Sequence, residues 1–387
     1  MAPDTVSSWL TQLPRGSRVL DPMCGSGVVV RQSALLGHKA VGFDIDPLAV
    51  LMSRVWTHKG SHESLNELAS KVVASAMRRR AFSHTNLPWV AQCPETLSFV
   101  EYWFSEPQRS MLARIAWAIR SLKQQEEEWA SDCLWLALSR IIITKHVGAS
   151  LAWDVSHSRP HRKREENDFD VLNGFTKAVA RLSTLLDGEP IQKAGVVRRG
   201  DCRQLRGVKH SSVDAVITSP PYLNAIDYLR GHKLALVWMG YSIPELRRLR
   251  SSSIGTERAK DHGQNPEGMR KLESAVRSIQ RLPQRQRSIV HKYAVDASLM
   301  LSEMKRVLSP EGLLVLVLGD SNLRGVPVYN SRIFKHLARE CGFVLESEYK
   351  HPLASDRRYL PMSDTSGALA NRMKLEVLQA YRISSSA

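Results

Sequence analysis

The sequence predicts an α/β protein with an open, mostly parallel sheet that carries helices on both faces and is interrupted by a large helical insertion. Two observations carry this prediction. Helix and strand patterns alternate over residues 1–54 and again from residue 193 onward. Between these parts, residues 55–192 place apolar side chains at the three- and four-residue spacing of helices. The 387 residues suffice for one large domain or two smaller ones.

The N-terminal stretch predicts a helix, a strand, a turn, a second helix and a second strand. DTVSSWLTQL has helical spacing with Asp4 as a candidate N-cap, and SRVLD is a short strand. GVVVRQSALLG is a helix that stops at Gly37, and KAVGFDID is the second strand. This order is a βαβ unit, so we expect the two strands to be parallel.

The middle of the chain predicts four further helices. Their patterns are HESLNELASKVVASAMRRR, PQRSMLARIAWAIRSLKQQEEEW, CLWLALSRIIITKHV and FDVLNGFTKAVARLSTLLDG. The tract SHSRPHRKREEND (156–168) interrupts them as a polar, basic loop. The sequence leaves open whether this block reads a partner, forms a dimer surface or acts as a lid.

Strand patterns resume with AGVVRRGDCRQL and VDAVITSPPY, and a basic segment follows. Residues 228–292 contain 14 Lys and Arg against 5 Asp and Glu, a net charge of +9 out of the chain's +16. VDASLMLSEMKRVLSPEG then predicts a helix that ends at Pro310-Glu311-Gly312, and LLVLVLGD predicts a buried strand. NSRIFKHLARECGF predicts a last helix, and VLESEYKHPL predicts an edge strand.

The composition limits the class of protein. A formal charge of +16 with a pI near 9.8 favours a polyanionic partner, nucleic acid before an anionic membrane. MAPDTVSSWL is not typical of a signal peptide, and the run LLVLVLG is too short to span a bilayer. The five cysteines are scattered and form no CxxC pair, which favours a reducing cytoplasm.

A glycine-rich turn, DPMCGSG (21–27), follows the first strand. Gly25 and Gly27 allow the backbone to approach a ligand closely, because they carry no Cβ. The turn is not a dinucleotide fingerprint, since the third glycine position is Val30, and no Lys-Ser/Thr follows to make a P-loop. Asp21 would repel a phosphate and accept from an ammonium group, so a cationic amino-acid ligand fits better.

Two further acids end predicted strands. Asp44 in GFDIDP is placed to bridge two ribose hydroxyls. Asp201 in RGDCRQL is placed to accept from an adenine amine. Each acid by itself could be a cap or loop residue, but three acids at successive strand ends favour one binding site.

The glycine turn and the three acids resemble the cofactor site of S-adenosylmethionine-dependent methyltransferases. The stretch VITSPPYLNAIDYLRGHK restricts this resemblance to a smaller family. Ser219-Pro220-Pro221-Tyr222 is similar to the catalytic motif of amino-methyltransferases acting on DNA. In that family, enzymes with the Ser form of the motif mostly methylate the N4 amine of cytosine. Enzymes with the Asp/Asn form mostly methylate the N6 amine of adenine. The resemblance covers roughly residues 1–54 and 195–345.

The resemblance implies S-adenosyl-L-methionine as cofactor. Direct transfer of a methyl group from its sulfonium to an amine needs placement rather than a metal, so no metal is expected. The resemblance also implies a catalytic domain formed by residues 1–54, 193–227 and 293–387, a helical insertion at 55–192 and a basic DNA-contact segment at 228–292. The expected cofactor contacts are Asp21, Met23, Cys24, Gly25, Ser26, Gly27, Asp44, Ile45, Asp201 and Cys202.

The motif has a chemical rationale of its own. The exocyclic amine of a base is a poor nucleophile, because its lone pair is delocalised into the ring. Ser219 Oγ and the Pro220 carbonyl could accept both amine hydrogens and draw the nitrogen toward tetrahedral geometry, and the two prolines hold that carbonyl rigidly. Tyr222 supplies an aromatic face for a base that has left the duplex.

The expected partner is double-stranded DNA. Candidate DNA contacts are the basic residues of the 156–168 loop and of the basic segment, namely Arg159, Arg162, Lys163, Arg164, Arg230, Lys233, Arg247 and Arg248. The sequence leaves open a homodimer and a cognate restriction endonuclease. Methylation of adenine N6, methylation of an RNA base and a catalytically inactive nucleic-acid-binding protein stay as alternatives.

Overall fold

The computed structural model describes residues 1–58, 64–122, 128–144, 147–153, 160–162, 164–187, 191, 194–223, 227–255, 266–352 and 375–384. The chain divides into two compact units. We call Met1–Ile45, Gln192–Ile226 and Ser251–Ala387 the α/β unit, and Asp46–Ile191 with Asp227–Arg250 the helical unit.

The secondary structure comprises eleven strands and fourteen α-helices over the described residues. The strands are β1 (Arg18–Asp21), β2 (Lys39–Asp44), β3 (Ala152–Trp153), β4 (His161–Arg162), β5 (Val196–Arg199), β6 (Val213–Thr218), β7 (Leu308–Gly319), β8 (Ser321–Leu323), β9 (Val326–Val328), β10 (Phe343–Pro352) and β11 (Leu375–Ile383). The helices are α1 (Pro3–Leu10), α2 (Val28–Leu35), α3 (Pro47–Thr57), α4 (Leu65–Arg78), α5 (Pro88–Ala91), α6 (Pro94–Trp103), α7 (Gln108–Leu122), α8 (Glu128–Ile142), α9 (Val171–Leu186), α10 (Leu229–Leu236), α11 (Ile243–Ser252), α12 (Pro266–Ala275), α13 (Gln284–Val307) and α14 (Asn330–Glu340).

The α/β unit is built on a seven-stranded sheet in the order β10-β11-β7-β6-β1-β2-β5. The five strands from β7 to β5 are parallel, and β11 runs antiparallel to both of its neighbours. The predicted parallel pairing of β1 and β2 is confirmed, with Arg18 opposite Lys39 and Asp21 opposite Gly42. The chain continues from β1 to β2 and β5 on one side, and β6 lies on the other. The sheet therefore has a topological switch point between β1 and β6, where open α/β sheets bind ligands.

Helices cover both faces of this sheet, as predicted. Alternate residues of a strand point to opposite faces, so Val19 and Leu20 of β1 belong to different clusters. Val19 packs with Val6 and Leu10 of α1, whereas Leu20 shares a cluster with α13 and α14. The fold is therefore the predicted three-layered Rossmann-like arrangement.

Four local predictions have clear outcomes. β10 lies at the edge of the sheet, which confirms the edge strand. Asp4 is not a cap: α1 begins after Ala2, and Asp4 lies in the first turn without a capping hydrogen bond, where its charge still favours the helix dipole. Pro310–Gly312 do not form a helix end, because α13 stops at Val307 and β7 begins at once. The sequence analysis did not predict strand β11.

The early start of β7 is accommodated by an irregularity in its pairing. Leu308 pairs with Val213 and Leu313 with Ala215, so the residues between them bulge away from β6. Pro310 lies in this bulge, where its missing N–H disrupts no ladder hydrogen bond.

The helical unit contains α3 to α10, most of α11 and the two-stranded β3–β4 ribbon. The four predicted helices are present as α4, α7, α8 and α9, with α4 packed on α7 and α9 and α8 packed on α3 and α9. Its core includes the buried rings of Phe104 and Trp238, whose centroids are 4.9 Å apart at a near-perpendicular angle.

The boundaries of the two units differ from the predicted domain boundaries at residue 46 and within the basic segment 228–292. The helical unit begins at Asp46, before the predicted boundary at residue 55. The predicted basic segment 228–292 is divided, because residues up to Arg250 belong to the helical unit and those from Ser251 to the α/β unit. In the part of the chain that the structure describes, no helix has both the length and the apolar character needed to cross a bilayer.

Candidate active site at the switch point of the sheet

The glycine-rich turn connects β1 to α2 in a backbone conformation that favours glycine. Gly25 has φ +50° and Gly27, the N-cap of α2, has φ +87°. A Cβ at Gly25 would meet no atom within 4 Å. Conformation rather than crowding therefore requires glycine at this position, and the space beside it is open to a ligand.

Asp21 is the buried acid of this site. Its carboxylate is 3% exposed, and Oδ1 accepts from Thr218 Oγ1 at 2.7 Å and from the Met23 N–H at 3.1 Å. Burial raises the pKa of Asp21 from its ordinary 3.8 to about 7, the charge of Asp44 adds to the rise, and the two hydrogen bonds oppose it. Asp21 therefore changes charge near neutral pH, and a cation bound beside it would stabilise the ionised form.

The hydrogen bond between Thr218 and Asp21 joins the ends of β6 and β1. These strands are adjacent, with Val19 opposite Ala215 and Leu20 opposite Val216. Thr218 is the residue before the Ser219–Tyr222 motif. The prediction that the two bends lie at neighbouring strand ends, on one edge of the sheet, is thus confirmed.

Asp44 ties the glycine turn to the end of β2. Its Oδ2 accepts from the Gly25 N–H at 2.9 Å, and the Cys24 N–H donates to the Phe43 carbonyl at 2.8 Å. Gly42 allows this close approach: a Cβ there would lie 2.8 Å from Val30 Cγ2 and 3.1 Å from the Cys24 thiol. Sequence reasoning passed over Gly42, although a glycine inside a strand is a signal of close packing.

The other predicted cofactor contacts differ in how far they are exposed. Ser26 is exposed, Met23 and Ile45 are partly exposed, and Cys24 is buried. The Cys24 thiol packs beside Gly42, and its predicted contact with the cofactor stays a prediction.

Asp201, which follows the end of β5, belongs to an ion-pair network centred on Arg203. Arg203 Nη2 lies 2.6 Å from Asp201 Oδ2, and Arg203 Nη1 lies 2.6 Å from Asp296 Oδ1 on α13. The two carboxylates raise the pKa of Arg203, and burial raises the pKa of the Cys202 thiol, which therefore stays protonated. The predicted contact of Asp201 with an adenine amine stays a prediction. Arg203 was missed because its partner Asp296 is distant in sequence.

The Ser219–Tyr222 motif forms a loop held by main-chain carbonyls. Ser219 Oγ donates to the Val317 carbonyl at 3.0 Å and lies 3.3 Å from Tyr222 Oη. Because Ser219 has only one hydroxyl proton, Tyr222 is the donor in the second contact. The Ser219 oxygen therefore acts as an acceptor toward its surroundings.

A buried tyrosine on α13 supports the same loop. Tyr293 Oη donates to the Pro221 carbonyl at 2.9 Å, and its side chain is 1% exposed. Burial raises the pKa of Tyr293, so its hydroxyl keeps the proton that it donates. Sequence reasoning missed Tyr293, because it lies 72 residues from Pro221.

The GDSNLRG segment (319–325) also contacts the end of this loop. It contains β8 and the turn of the β8–β9 hairpin, and Ser321 Oγ donates to the Leu223 carbonyl at 2.6 Å. Asn330 Nδ2 in turn donates to Ser321 Oγ at 2.8 Å. The loop after β6 therefore accepts hydrogen bonds from Ser321 on β8 and from Tyr293 on α13.

The predicted DNA contacts that are described all lie in the helical unit. Arg159 and Lys163 fall outside the described residues. The remaining six are found on β4 and just after it, on α10 and on α11: Arg162, Arg164, Arg230, Lys233, Arg247 and Arg248. Arg230 Nε pairs with Asp227 Oδ2 at 3.1 Å.

Two bacterial methyltransferases are similar to this sequence. The chain is 24% identical over 271 residues to the Type II methyltransferase M.BsoBI of Geobacillus stearothermophilus, covering 62% of this chain and 51% of that protein. It is 22% identical over 371 residues to the Type II methyltransferase M.AvaI of Nostoc sp., covering 85% of this chain and 73% of that protein. The first match thus spans about half of the relative's length. No protein-family profile matches the sequence.

Solved structures give weaker similarities. A TehB-like SAM-dependent methyltransferase from Corynebacterium glutamicum has a TM-score of 0.31 at 9% identity, covering 98% of this chain and 88% of that chain. A putative sarcosine dimethylglycine methyltransferase from Galdieria sulphuraria has a TM-score of 0.35 at 10% identity, covering 99% and 85%. The fold assignment therefore rests on the strand order of the sheet. The sequence similarity to Type II methyltransferases supports a methyltransferase.

Proposed function

We propose that this protein is a DNA methyltransferase that transfers a methyl group from S-adenosyl-L-methionine to the N4 amine of a cytosine turned out of the duplex. One observation carries the proposal. The 2.7 Å hydrogen bond from Thr218 to Asp21 joins a glycine-rich ligand turn to a loop with the amine-methylating sequence Ser219–Tyr222. The turn that we assign to the cofactor and the loop that we assign to the amine therefore lie at one edge of the sheet.

The residues of the turn fit this cofactor. Asp21 is a buried carboxylate suited to the ammonium group of an amino acid, and the space beside Gly25 is open. Asp44 lies at the end of β2, where nucleotide-binding sheets place the carboxylate that accepts from ribose. When bound, the cofactor supplies an electron-deficient methyl group on a sulfonium. Binding and orienting the reactants are then the tasks of the protein.

The motif is arranged to accept hydrogen bonds from an amine. Ser219 donates its proton to the Val317 carbonyl and accepts from Tyr222 Oη, which leaves one lone pair of its oxygen for an incoming N–H. The Pro220 carbonyl would accept the second N–H. Tyr293 fixes the next carbonyl, that of Pro221, and the ring of Pro221 limits the backbone between them. An amine held by two acceptors loses planarity, and its nitrogen becomes more nucleophilic.

Tyr222 would stack on the extruded base. Its ring is partly exposed at the end of the motif. A base must leave the helical stack before its exocyclic amine can reach such a loop, and stacking on an aromatic ring offsets part of that cost. The formal charge of +16 favours a polyanion as the substrate.

The test is to incubate the full chain with methyl-labelled cofactor and mixed-sequence duplex DNA, then hydrolyse the DNA and identify the labelled nucleoside. We expect N4-methylcytosine. Label on N6 of adenine would overturn the choice of target, and label only in RNA would overturn the choice of DNA. Cofactor binding without transfer to any nucleic acid would indicate an inactive binding protein. Ser219→Ala serves as the matched negative control.

A further inference from the structure

Three basic residues from three separate segments of the helical unit converge on α6. Arg247 on α11 forms an ion pair with Glu95. Lys233 Nζ on α10 lies 5.1 Å from the ring centroid of Phe99, and Arg162 Cζ on β4 lies 5.0 Å from that of Tyr102.

The three partners on α6 form a single stripe. Glu95, Phe99 and Tyr102 are spaced by four and then three residues, so they share one side of the helix. At a rise of about 1.5 Å per residue, the stripe is roughly 10 Å long. Three cations and one carboxylate give it a net positive charge.

Two of the three segments that carry the cations are hydrogen-bonded to α6. The Ile243 N–H at the start of α11 donates to the buried Thr96 hydroxyl at 3.0 Å. The Leu151 N–H, just before the ribbon with Arg162, donates to the Trp103 carbonyl at 2.8 Å. The backbone segments next to Arg247 and Arg162 are therefore anchored to α6 within the helical unit.

The stripe also presents an aromatic ring to solvent. Tyr102 is 50% exposed, although it packs edge-on against Trp103 with centroids 5.0 Å apart. The Arg247 side chain is 51% exposed, and Arg162 is exposed as well. Lys233 is only partly exposed, and this burial together with the charge of Arg250 lowers its pKa. Lys233 therefore packs against Phe99, while Arg162, Arg247 and Tyr102 are exposed to solvent.

We propose that this α6 stripe is the surface of the helical unit that contacts duplex DNA, with Arg162 and Arg247 on phosphates and the Tyr102 ring against the sugars or base edges. This inference rests on the proposed function. Its chemistry is that of nucleic-acid surfaces, where cations position the protein and aromatic groups touch the bases. It differs from the sequence prediction by adding α6, which carries no predicted contact.

The test measures binding of the full chain to a fluorescent mixed-sequence duplex over a series of salt concentrations. Arg162→Ala/Arg247→Ala removes two phosphate contacts, so we expect affinity to fall about tenfold or more and the salt slope to decrease by about two. Tyr102→Ala should also weaken binding but keep the wild-type salt slope, because it removes no charge. Tyr102→Phe keeps the ring and should bind like the wild type, which separates stacking from misfolding.

The matched controls lie in the α/β unit. Arg339→Ala/Arg382→Ala also removes two arginines from exposed ion pairs, with Glu340 and Glu346. Tyr349→Ala removes a tyrosine that is 54% exposed. These variants should keep wild-type affinity.

Equal losses in the controls would overturn the α6 surface, because net charge alone would then explain binding. If the wild type methylates DNA and the α6 variants bind it normally, the surface is wrong and the proposed function stands. If the wild type modifies only RNA, the proposed function is wrong and so is the choice of DNA as the partner. Cofactor affinity should be unchanged in every variant.

Discussion

Asp44 and Asp46 are separated by one residue and serve different units of the molecule. Asp44 belongs to the α/β unit, where its Oδ2 accepts from the Gly25 N–H of the glycine turn at 2.9 Å. Asp46 belongs to the helical unit, where Oδ1 caps α3 through the Leu48 N–H at 2.9 Å and Oδ2 lies 2.6 Å from His232 Nδ1. The same side chain thus shapes a ligand turn in one unit and a helix terminus in the other.

This difference teaches that the partner of a carboxylate, rather than its position in a motif, decides its role. An acid that holds an open turn can share its oxygens with a ligand. An acid that caps a helix and pairs with a histidine contributes to stability. The predictions that follow test this division and the roles proposed for the other site residues, from the largest expected effect to the smallest.

Tyr222→Ala should cause the largest loss. Without the ring the extruded base is not held at the motif, and we expect methyl transfer to fall by about 100-fold or more. Cofactor affinity should change little, because the glycine turn is intact. Single-turnover rates and equilibrium cofactor binding would separate the two effects, and equal losses in both would contradict the stacking role. Tyr349→Ala is the exposed-tyrosine control.

Asp21 should make the stability of the cofactor-free protein pH-dependent. Its pKa is raised from 3.8 to about 7 in the folded state, so the folded chain binds more protons than the unfolded chain between these values. The contribution of Asp21 to stability therefore falls as pH rises from about 4 to 7, by at most on the order of 4 kcal/mol. Above about pH 8, where Asp21 is ionised in both states, it should be constant.

Asp21→Asn removes this titration while keeping an acceptor for Thr218. Urea unfolding of both proteins at pH 5 and pH 8 measures the difference. The wild type should lose stability relative to Asp21→Asn on going to pH 8. A parallel response of the two proteins would show that Asp21 does not titrate in this range.

Asp44→Ala should weaken cofactor binding by about 10-fold or more, because a charge-assisted hydrogen bond contributes roughly 1.5–3 kcal/mol. Asp46→Ala is the matched variant. It should keep cofactor affinity and lower the free energy of unfolding by about 1 kcal/mol through loss of the α3 cap. Isothermal titration and thermal unfolding of both variants provide the measurement. Loss of cofactor affinity in Asp46→Ala together with unchanged affinity in Asp44→Ala would contradict the different roles assigned to the two acids.

Tyr293→Phe should have the smallest effect. It deletes the hydrogen bond to the Pro221 carbonyl and should cost about 1 kcal/mol of stability. Because the motif loses a support, kcat should decrease while the KM for the cofactor stays the same. A change in the cofactor KM with an unchanged kcat would count against a positioning role for Tyr293.

The sequence by itself determined the parts that depend on local pattern. The βαβ start predicts that β1 and β2 are parallel, and the carboxyl ends of parallel strands meet at one edge. The glycine turn and the Ser219–Tyr222 motif therefore had to face the same edge once β6 joined the sheet. The sequence also identified Gly25 and Gly27 as turn glycines, and the structure adds the physical reason, a positive φ that favours glycine at both positions.

Only the tertiary structure decided which distant groups meet. Pairing of Arg203 with Asp296, support of Pro221 by Tyr293 and convergence of Arg162, Lys233 and Arg247 on α6 all join residues far apart in the chain. Hydrophobic periodicity reports the face of an element, but it carries no information on which other element will cover that face. β11 shows the same limit, because its place between β10 and β7 is set by antiparallel pairing on both sides rather than by any turn signal beside it.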